Sequence, residues 1–273
     1  MPCPAKRGAV MTPEQTAQAS RDAVLELGGA YAECPRTLRR ARQLGLSGWA
    51  FYVAGRGGAL GDVRSDTVAA ALGFIAPEAV ADGWDGARRV LPPPEVAAVH
   101  LAECCRWGAE QLGGFPRVER LVELTQRVVI AADASALPLF AAWRAMPVPA
   151  DDLGAQAAVL LHLLREHRAG AHLLAVRASG LSPLEAILAG PEGEAGAVAW
   201  GWQPPYPGVG PLLRRRVWAE AVTDRIASSA YAVLALDERS ELLGLLDSAR
   251  KGLRPPGSEP DRRPGPDPAG ITP

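Results

Sequence analysis

The sequence has very little lysine and cysteine and no asparagine. Of its 29 basic residues only Lys6 and Lys251 are lysines, and arginine supplies the rest. Such a bias is typical of GC-rich coding sequence, so most individual arginines require no functional explanation. The four cysteines stand at positions 3, 34, 104 and 105. Because this spacing matches neither a zinc site nor a disulfide framework, we expect a reduced cytoplasmic protein that holds no metal.

Long apolar runs and a strong charge of one sign are also missing. No run of about 18 apolar residues occurs, so a membrane-spanning helix is not expected. The first ten residues, MPCPAKRGAV, have no apolar region of the kind that a secretory signal needs. The formal charge of −1 disfavours a strongly basic nucleic-acid binder. The patterns G-x-x-x-x-G-K-[ST], G-x-G-x-x-G and H-E-x-x-H do not occur, so we expect no cofactor.

The residues that are present favour a helical protein. Apolar residues make up 48% of the 273 positions, which is enough for a core and excludes a wholly disordered chain. They recur at helical spacing, while the alternating runs typical of strands are nearly missing. The sequence therefore predicts a mainly α fold, with helices over 14–28, 35–45, 62–72, 94–112, 116–132, 137–145, 153–166, 171–179, 212–227 and 238–251.

Proline-rich breaks divide the chain. We expect a flexible N-terminus over 1–14 and a first helical domain over 15–150, which closes at a turn with Pro147 and Pro149. A second helical domain follows over 151–252. Residues 253–273 are rich in proline and poor in apolar side chains, which predicts a disordered tail.

The segment SGWAFYVAGRGGALGDV, residues 47–63, is the first candidate site. Its aromatic residues precede a glycine-flanked arginine, Arg56. Glycines allow a ligand to approach the backbone closely, and an arginine can pair with an anion through two parallel hydrogen bonds. The alternative interpretation is a tight helix–helix crossing with a surface arginine. Asp62 is expected to be the N-cap of the next helix.

The segment LHLLREHRAGAH, residues 161–172, contains three of the four histidines. His162 and Glu166 are four residues apart and share a helix face, as metal ligands or an acid–base pair would. His167 and His172 converge only if the helix breaks at Ala169–Gly170. Three interpretations exist: a metal site, which we do not expect, the polar wall of a pocket, or a basic helix end that complements the helix dipole.

Several segments together carry a resemblance to a known family. These are GWAFYVAGRGGALGDV, ALGFIAPEAV, AAWRAMPVP, LLREHRAGAHLLAVRASGLSPLEAIL and EAVTDRIASSAYAVL. Over roughly residues 20–250 the chain resembles an actinobacterial helix-turn-helix-like family of α-helical proteins. The family's second motif matches Glu166, His167, Arg168 and His172, and its third motif matches Thr223 and Asp224.

The resemblance implies a multi-helix body with a degenerate helix-turn-helix or winged-helix-like C-terminal part. Two departures from the family pattern point away from an autonomous DNA reader. Where the family has Gly–Asp–Gly, this chain has Ala169–Gly170–Ala171, which removes a carboxylate. Between Trp202 and Leu212 only QPPYPGVGP remains, too short and too rich in proline for a recognition helix.

Members of the family look like small-molecule-handling proteins, and some resemble partners in natural-product ring formation, aziridines included. The resemblance thus implies a cytoplasmic protein of secondary metabolism, such as antibiotic biosynthesis. It would be an enzyme, or one subunit of a homologous dimer, that performs intramolecular substitution or elimination without a cofactor. Its ligand would be a small anion, with arginines stabilising the departing charge and a histidine taking the proton.

The predicted site combines both segments. The candidate catalytic residues are Arg56, His167, Arg168 and His172. The candidate ligand-binding residues are Trp49, Tyr52, Gly55, Gly57 and Glu166. We expect Arg56 and the 167–172 segment to face one cavity, with Trp49 and Tyr52 on its wall.

Two other functions stay open at this point. A ligand-responsive transcription regulator would explain the helix-turn-helix resemblance and the basic run of Arg36, Arg39, Arg40 and Arg42. The near-neutral charge argues against DNA as a partner. A non-catalytic protein that sequesters a toxic product and so confers resistance is the third hypothesis.

Overall fold

The computed structural model describes residues 11–253, and within them the chain forms helices and connecting loops without a β-strand. The α-helices are α1 (Pro13–Gly29), α2 (Pro35–Gln43), α3 (Gly48–Gly57), α4 (Ser65–Leu72), α5 (Pro77–Arg88), α6 (Pro93–Leu112), α7 (Val118–Ala131), α8 (Pro138–Arg144), α9 (Leu153–Ala178), α10 (Pro183–Leu188), α11 (Gly193–Ala199), α12 (Leu213–Tyr231) and α13 (Leu236–Lys251). The mainly α fold is therefore confirmed. None of the helices described is both long and apolar enough to cross a membrane. The predictions for residues 1–10 and 254–273 lie outside the described part of the chain.

Local capping signals begin several of these helices. The Thr12 hydroxyl accepts a hydrogen bond from the Gln15 amide, and the Gln15 side chain accepts one from the Thr12 amide. Ser182 and Glu185 form the same reciprocal pair at α10. Each pair satisfies two backbone donors that the first turn of a helix leaves without partners. As a result α1 already begins at Pro13, inside the predicted flexible N-terminus.

The long helix α9 replaces two predicted helices, because the break expected at Ala169–Gly170 is wrong. The helix runs without interruption from Leu153 to Ala178. Gly170 serves packing instead: a Cβ at this position would lie 2.7 Å from a methyl group of Leu137. The glycine therefore lets the residue before α8 approach the helix closely.

Other departures occur between residues 47 and 88. Asp62 does not cap a helix; α4 starts at Ser65, and Asp62 pairs instead with Arg88 at 2.9 Å. The helices α3 and α5 of this stretch were not predicted, nor were α10 and α11 later in the chain. In α3 the side chains are apolar or absent on nearly every side, so the segment lacks the periodicity that reveals an amphipathic helix.

Helix α9 lies at the centre of the fold. It packs against α1, α6, α7 and α12, and most of its residues are buried. A helix that contacts neighbours all round needs apolar residues on every face, as α9 has. One hydrophobic cluster contains residues from before and after position 150. The division into domains over 15–150 and 151–252 stays a prediction.

Gly108 of α6 and Gly154 of α9 lie against each other where these two helices cross. A Cβ on Gly154 would lie 2.6 Å from the carbonyl oxygen of Gly108, which cannot move aside as a flexible side chain does. We expect Gly154→Ala to destabilise the protein by about 1–3 kcal/mol through overpacking. Gly244→Ala in α13 is the matched control, since a Cβ there meets nothing within 4 Å. It should stabilise by about 0.5–1 kcal/mol through helix propensity. Urea unfolding of both variants measures the contrast, and equal effects would contradict the close crossing.

Candidate functional site

A cavity of about 310 Å³ opens between α3, α9, α12 and the α10–α11 segment. This volume suits a small organic molecule. Its polar wall is formed by Tyr52, Arg56, Arg165, His172 and Arg216. Phe74 and Trp200 add aromatic surface, aliphatic side chains cover much of the rest, and the exposed Glu192 also lines it. The cavity therefore combines several cationic donors with an apolar body.

One buried carboxylate organises two of the arginines. Glu166 Oε1 and Oε2 accept hydrogen bonds from Arg56 Nε and Nη2 at 3.0 and 2.8 Å, and Arg165 Nη1 donates to Oε1 at 2.8 Å. Burial raises the pKa of Glu166, but Arg56 and Arg165 outweigh it and lower that pKa to about 2. Glu166 carries one negative charge, and Arg56 and Arg165 carry one positive charge each, so these three side chains together have a net charge of +1.

Tyr52 connects this ion pair to the cavity. Its hydroxyl oxygen accepts hydrogen bonds from Arg56 Nη1 at 2.9 Å and from Arg165 Nη2 at 3.4 Å. Burial raises the pKa of Tyr52, but the two arginines have the larger effect and lower it below the ordinary value. Neither bond uses the hydroxyl proton, so Tyr52 can donate it to a ligand.

Residues of α9 and α12 form the facing wall. Arg216 Nη1 lies 3.1 Å from His172 Nε2, and His172 Nδ1 lies 2.9 Å from the Thr223 hydroxyl. Arg216 also pairs with Glu220, while its Nε is buried and finds no hydrogen-bond partner in residues 11–253. The ring of Phe74 stacks on His172 with centroids 5.3 Å apart. This wall thus offers a guanidinium group whose donors the described residues use only in part.

The structure brings together only part of the predicted site. Arg56, Tyr52 and His172 line the cavity, and Glu166 holds Arg56 from behind. Trp49 lies outside the cavity lining: its Nε1 donates to the Ala79 carbonyl and its ring stacks on Tyr52. Trp49 therefore supports the wall and does not form it.

The expectation that His167 and Arg168 face the same cavity as Arg56 is corrected. Arg168 is buried and bonds to Asp224 Oδ1 at 2.7 Å and to the Ala17 carbonyl at 3.1 Å, so it joins α9 to α12 and α1. His167 packs edge-on against Phe140. On an unbroken helix, residues five apart point about 140° away from each other, which separates His167 from His172.

The two glycines predicted to contact a ligand serve helix packing. A Cβ on Gly55 would lie 2.5 Å from His100 Nδ1, and one on Gly57 would lie 2.6 Å from a methyl group of Val68. These contacts correct the ligand-binding expectation in favour of the tight helix crossing. Arg56 is not the surface arginine of that interpretation, however, because its side chain is only 8% exposed.

His162 belongs to the core and does not line the cavity. Its Nδ1 lies 3.3 Å from the Tyr31 hydroxyl, and its ring meets Trp143 edge-on at 4.5 Å. His100 lies in the same buried cluster, 4.9 Å from the Tyr31 ring. Within the described residues no three His, Cys, Asp or Glu side chains are grouped so as to hold a metal ion.

The sequence analysis did not place Arg165 and Arg216 in the site, although a signal for each exists. Arg165, Ala169 and His172 follow the i, i+4, i+7 spacing of one helix face, and all three line the cavity. Arg216 and Thr223 are likewise seven residues apart on α12 and both reach His172. Both stripes could have been read from the sequence once the helices were placed.

Comparison with known families gives one match. Residues 17–205 match a helix-turn-helix family. The chain belongs to this helix-turn-helix family. The match ends before Leu213, where α12 begins. Neither the curated proteins nor the solved structures give a match for this chain.

Two helix pairs in the matched region have the helix-turn-helix spacing. In the first, a four-residue turn with Gly45 at φ +80° joins α2 to α3, but Ala50, Phe51 and residues 53–57 of α3 are buried. In the second, a turn of the same length joins α4 to α5, which exposes Glu78, Asp82, Asp85 and Arg88, and Arg88 is paired with Asp62. A recognition helix must expose donors to the bases, so neither second helix suits the family's namesake role.

Proposed function

We propose that this member of the helix-turn-helix family binds an organic oxyanion in the cavity and acts in small-molecule metabolism. The observation that carries the proposal is the convergence of Arg56, Arg165, Arg216 and His172 on a cavity with aromatic walls. Guanidinium groups attract anions more strongly where water is partly excluded. Phe74 and Trp200 would contact the apolar body of the same ligand.

The chemistry that suits this arrangement is the loss of an anionic leaving group, as in the ring formation that the family resemblance suggests. In an intramolecular substitution, a carbon–leaving-group bond breaks while the nucleophile bonds to the same carbon and gives its proton to water. Arg165 and Arg216 would stabilise the negative charge that develops on the leaving group. A homologous subunit is the proposed partner. Turnover that requires a second, homologous chain would distinguish a subunit from a complete enzyme.

The family match favours a second candidate, a ligand-responsive transcription regulator. The burial of α3 and the acidic exposed face of α5 weigh against it, and the exposed arginines of α2 remain its main support. Gel-shift titrations with the DNA upstream of the coding sequence, repeated at several salt concentrations, separate the two functions. Salt-sensitive binding supports the regulator, and its absence at low ionic strength rejects it.

Anilinonaphthalene sulfonate tests the anion site directly, because it is an aromatic sulfonate that fluoresces in apolar surroundings. We expect the wild-type protein to bind it and inorganic sulfate to compete. Arg216→Ala should weaken binding about tenfold or more, since a hydrogen bond to a charged group contributes about 1.5–3 kcal/mol. Arg214→Ala, two residues away and exposed, is the matched control and should bind like wild type. Equal affinities in the two variants would contradict an anion site in this cavity. Circular dichroism of each variant checks the fold.

A further inference from the structure

The proton on His172 can be located from the partners of its two nitrogens. The Thr223 hydroxyl donates to the Ala219 carbonyl at 2.7 Å, which uses its only proton. Towards His172 Nδ1, 2.9 Å away, the Thr223 oxygen can therefore only accept. A hydrogen bond between these two atoms then requires the proton to be on Nδ1.

Arg216 leads to the same assignment independently. A guanidinium group has donors and no acceptor, so Arg216 Nη1 must donate to His172 Nε2 across their 3.1 Å separation. Nε2 must then carry a lone pair and no proton. Both neighbours thus require a neutral imidazole with its proton on Nδ1.

We propose that His172 and Thr223 are positioning residues that hold the Arg216 guanidinium in place to bind the anion. His172 Nε2 and the Glu220 carboxylate engage Nη1 of Arg216. Nη1 is thereby held, and the rest of the guanidinium group remains as a donor for an oxyanion in the cavity that Arg216 lines. The proposal rests on the proposed function for the identity of the ligand. It also revises the role of His172, because a lone pair already engaged by Arg216 does not take a proton from a substrate.

The charges around His172 favour the neutral ring. Burial is the largest influence and, with Arg216 and Glu220 of α12, Arg168 of α9 and Arg21 of α1, sets the pKa of His172 at about 4. Glu220 opposes the three arginines and burial. Phe74 packs on the ring from the loop between α4 and α5. The imidazole is therefore neutral at pH 7, as the bond from Arg216 requires.

Nitrogen NMR of the imidazole tests the positioning without any ligand. In the wild-type protein at pH 7 we expect the His172 signals of the Nδ1–H tautomer. Thr223→Val keeps the shape of the side chain but removes the acceptor of Nδ1–H, so the preference for this tautomer should weaken and rest on Arg216 alone, and Thr223→Ser should restore it. An Nε2–H tautomer or a protonated ring in the wild-type protein would overturn the proposal, whether or not the variants fold.

Binding of anilinonaphthalene sulfonate tests the consequence for Arg216. We expect Thr223→Val and His172→Ala each to weaken binding about tenfold, approaching Arg216→Ala, while Thr223→Ser retains wild-type affinity. If Arg216→Ala weakens binding and the other two variants do not, the positioning role is wrong and the anion site stands. If Arg216→Ala itself has no effect, the anion site is wrong. The tautomer measurement still decides the hydrogen-bond assignment in that case.

Discussion

We expect the free energy of unfolding to fall steeply as the pH is lowered from 6.5 towards 4, because three neutral histidines are buried and a fourth, His172, is largely buried. Burial lowers the pKa of His162, His167 and His172 from 6.5 to about 4. It lowers the pKa of His100 well below 6.5, and His162 and Arg56 lower it further. The folded protein therefore binds these protons much more weakly than the unfolded chain does.

The sign and the size of this effect follow from proton linkage. Each histidine has a lowered pKa in the folded state, so its contribution is fully present above pH 6.5 and is lost as the pH falls through the folded value. One proton taken up on unfolding changes the free energy by about 1.4 kcal/mol per pH unit, so four protons change it by about 5.5 kcal/mol per pH unit. Typical domains have about 5–15 kcal/mol of stability in total. The protein should therefore unfold at a pH above 4. Glu166 contributes only below pH 4.5, since its own pKa is lowered to about 2.

Urea unfolding followed by far-ultraviolet circular dichroism at a series of pH values measures this slope. His100→Leu provides the control. The two ring nitrogens of His100 have no hydrogen-bond partner within residues 11–253, so the substitution deprives no other residue of a hydrogen bond. The variant should take up one proton fewer on unfolding, so its free energy of unfolding should change less steeply with pH, and its fold should match the wild type. Stability that stays constant from pH 7 to pH 5 would contradict the burial of these imidazoles.

Much of the helical architecture could be read from the sequence, since local signals encode it. Thr12 and Pro13 mark the start of α1, and the periodic apolar residues of α7 predict a helix close to its observed bounds. The helix α3 could not be read in this way. Its glycines disfavour a helix locally by about 1 kcal/mol each, and the helix forms because Gly55 lets it pack closely against His100.

The candidate site depends on partners that sequence spacing cannot supply. Arg56 and Glu166 are 110 residues apart, and only the folded chain brings them together. The family's second and third motifs, which contain Arg168 and His172 and the pair Thr223 and Asp224, illustrate this limit. Arg168 and His172 lie one turn apart on α9 and contact the adjacent residues Asp224 and Thr223 on α12, so the motifs form one contact between helices. The sequence analysis identified these residues and predicted a catalytic role for Arg168. In the structure Arg168 instead forms a buried ion pair with Asp224.

Replacing Glu166 with alanine is expected to destabilise the protein by about 3–5 kcal/mol, the cost of removing one partner of a buried ion pair. The Glu166 side chain is fully buried and Arg56 is only 8% exposed, so Arg56 would keep its charge without a counterion or ready access to water. Urea unfolding at pH 7 measures the loss. Asp66→Ala is the matched control: Asp66 and its partner Arg64 are both largely exposed, so that ion pair should contribute little.

A double variant separates the charge from the packing. Because the cost arises from the arginine left alone, removing it as well with Arg56→Met should restore much of the stability that Glu166→Ala loses. Arg165 would not reverse this recovery, since its side chain is 18% exposed and can turn to water. If Glu166→Ala unfolds no more readily than Asp66→Ala, the pair is solvated and does not hold Arg56 at the cavity wall. If instead the double variant is less stable than Glu166→Ala, Arg56 stabilises the core by contacts other than this carboxylate.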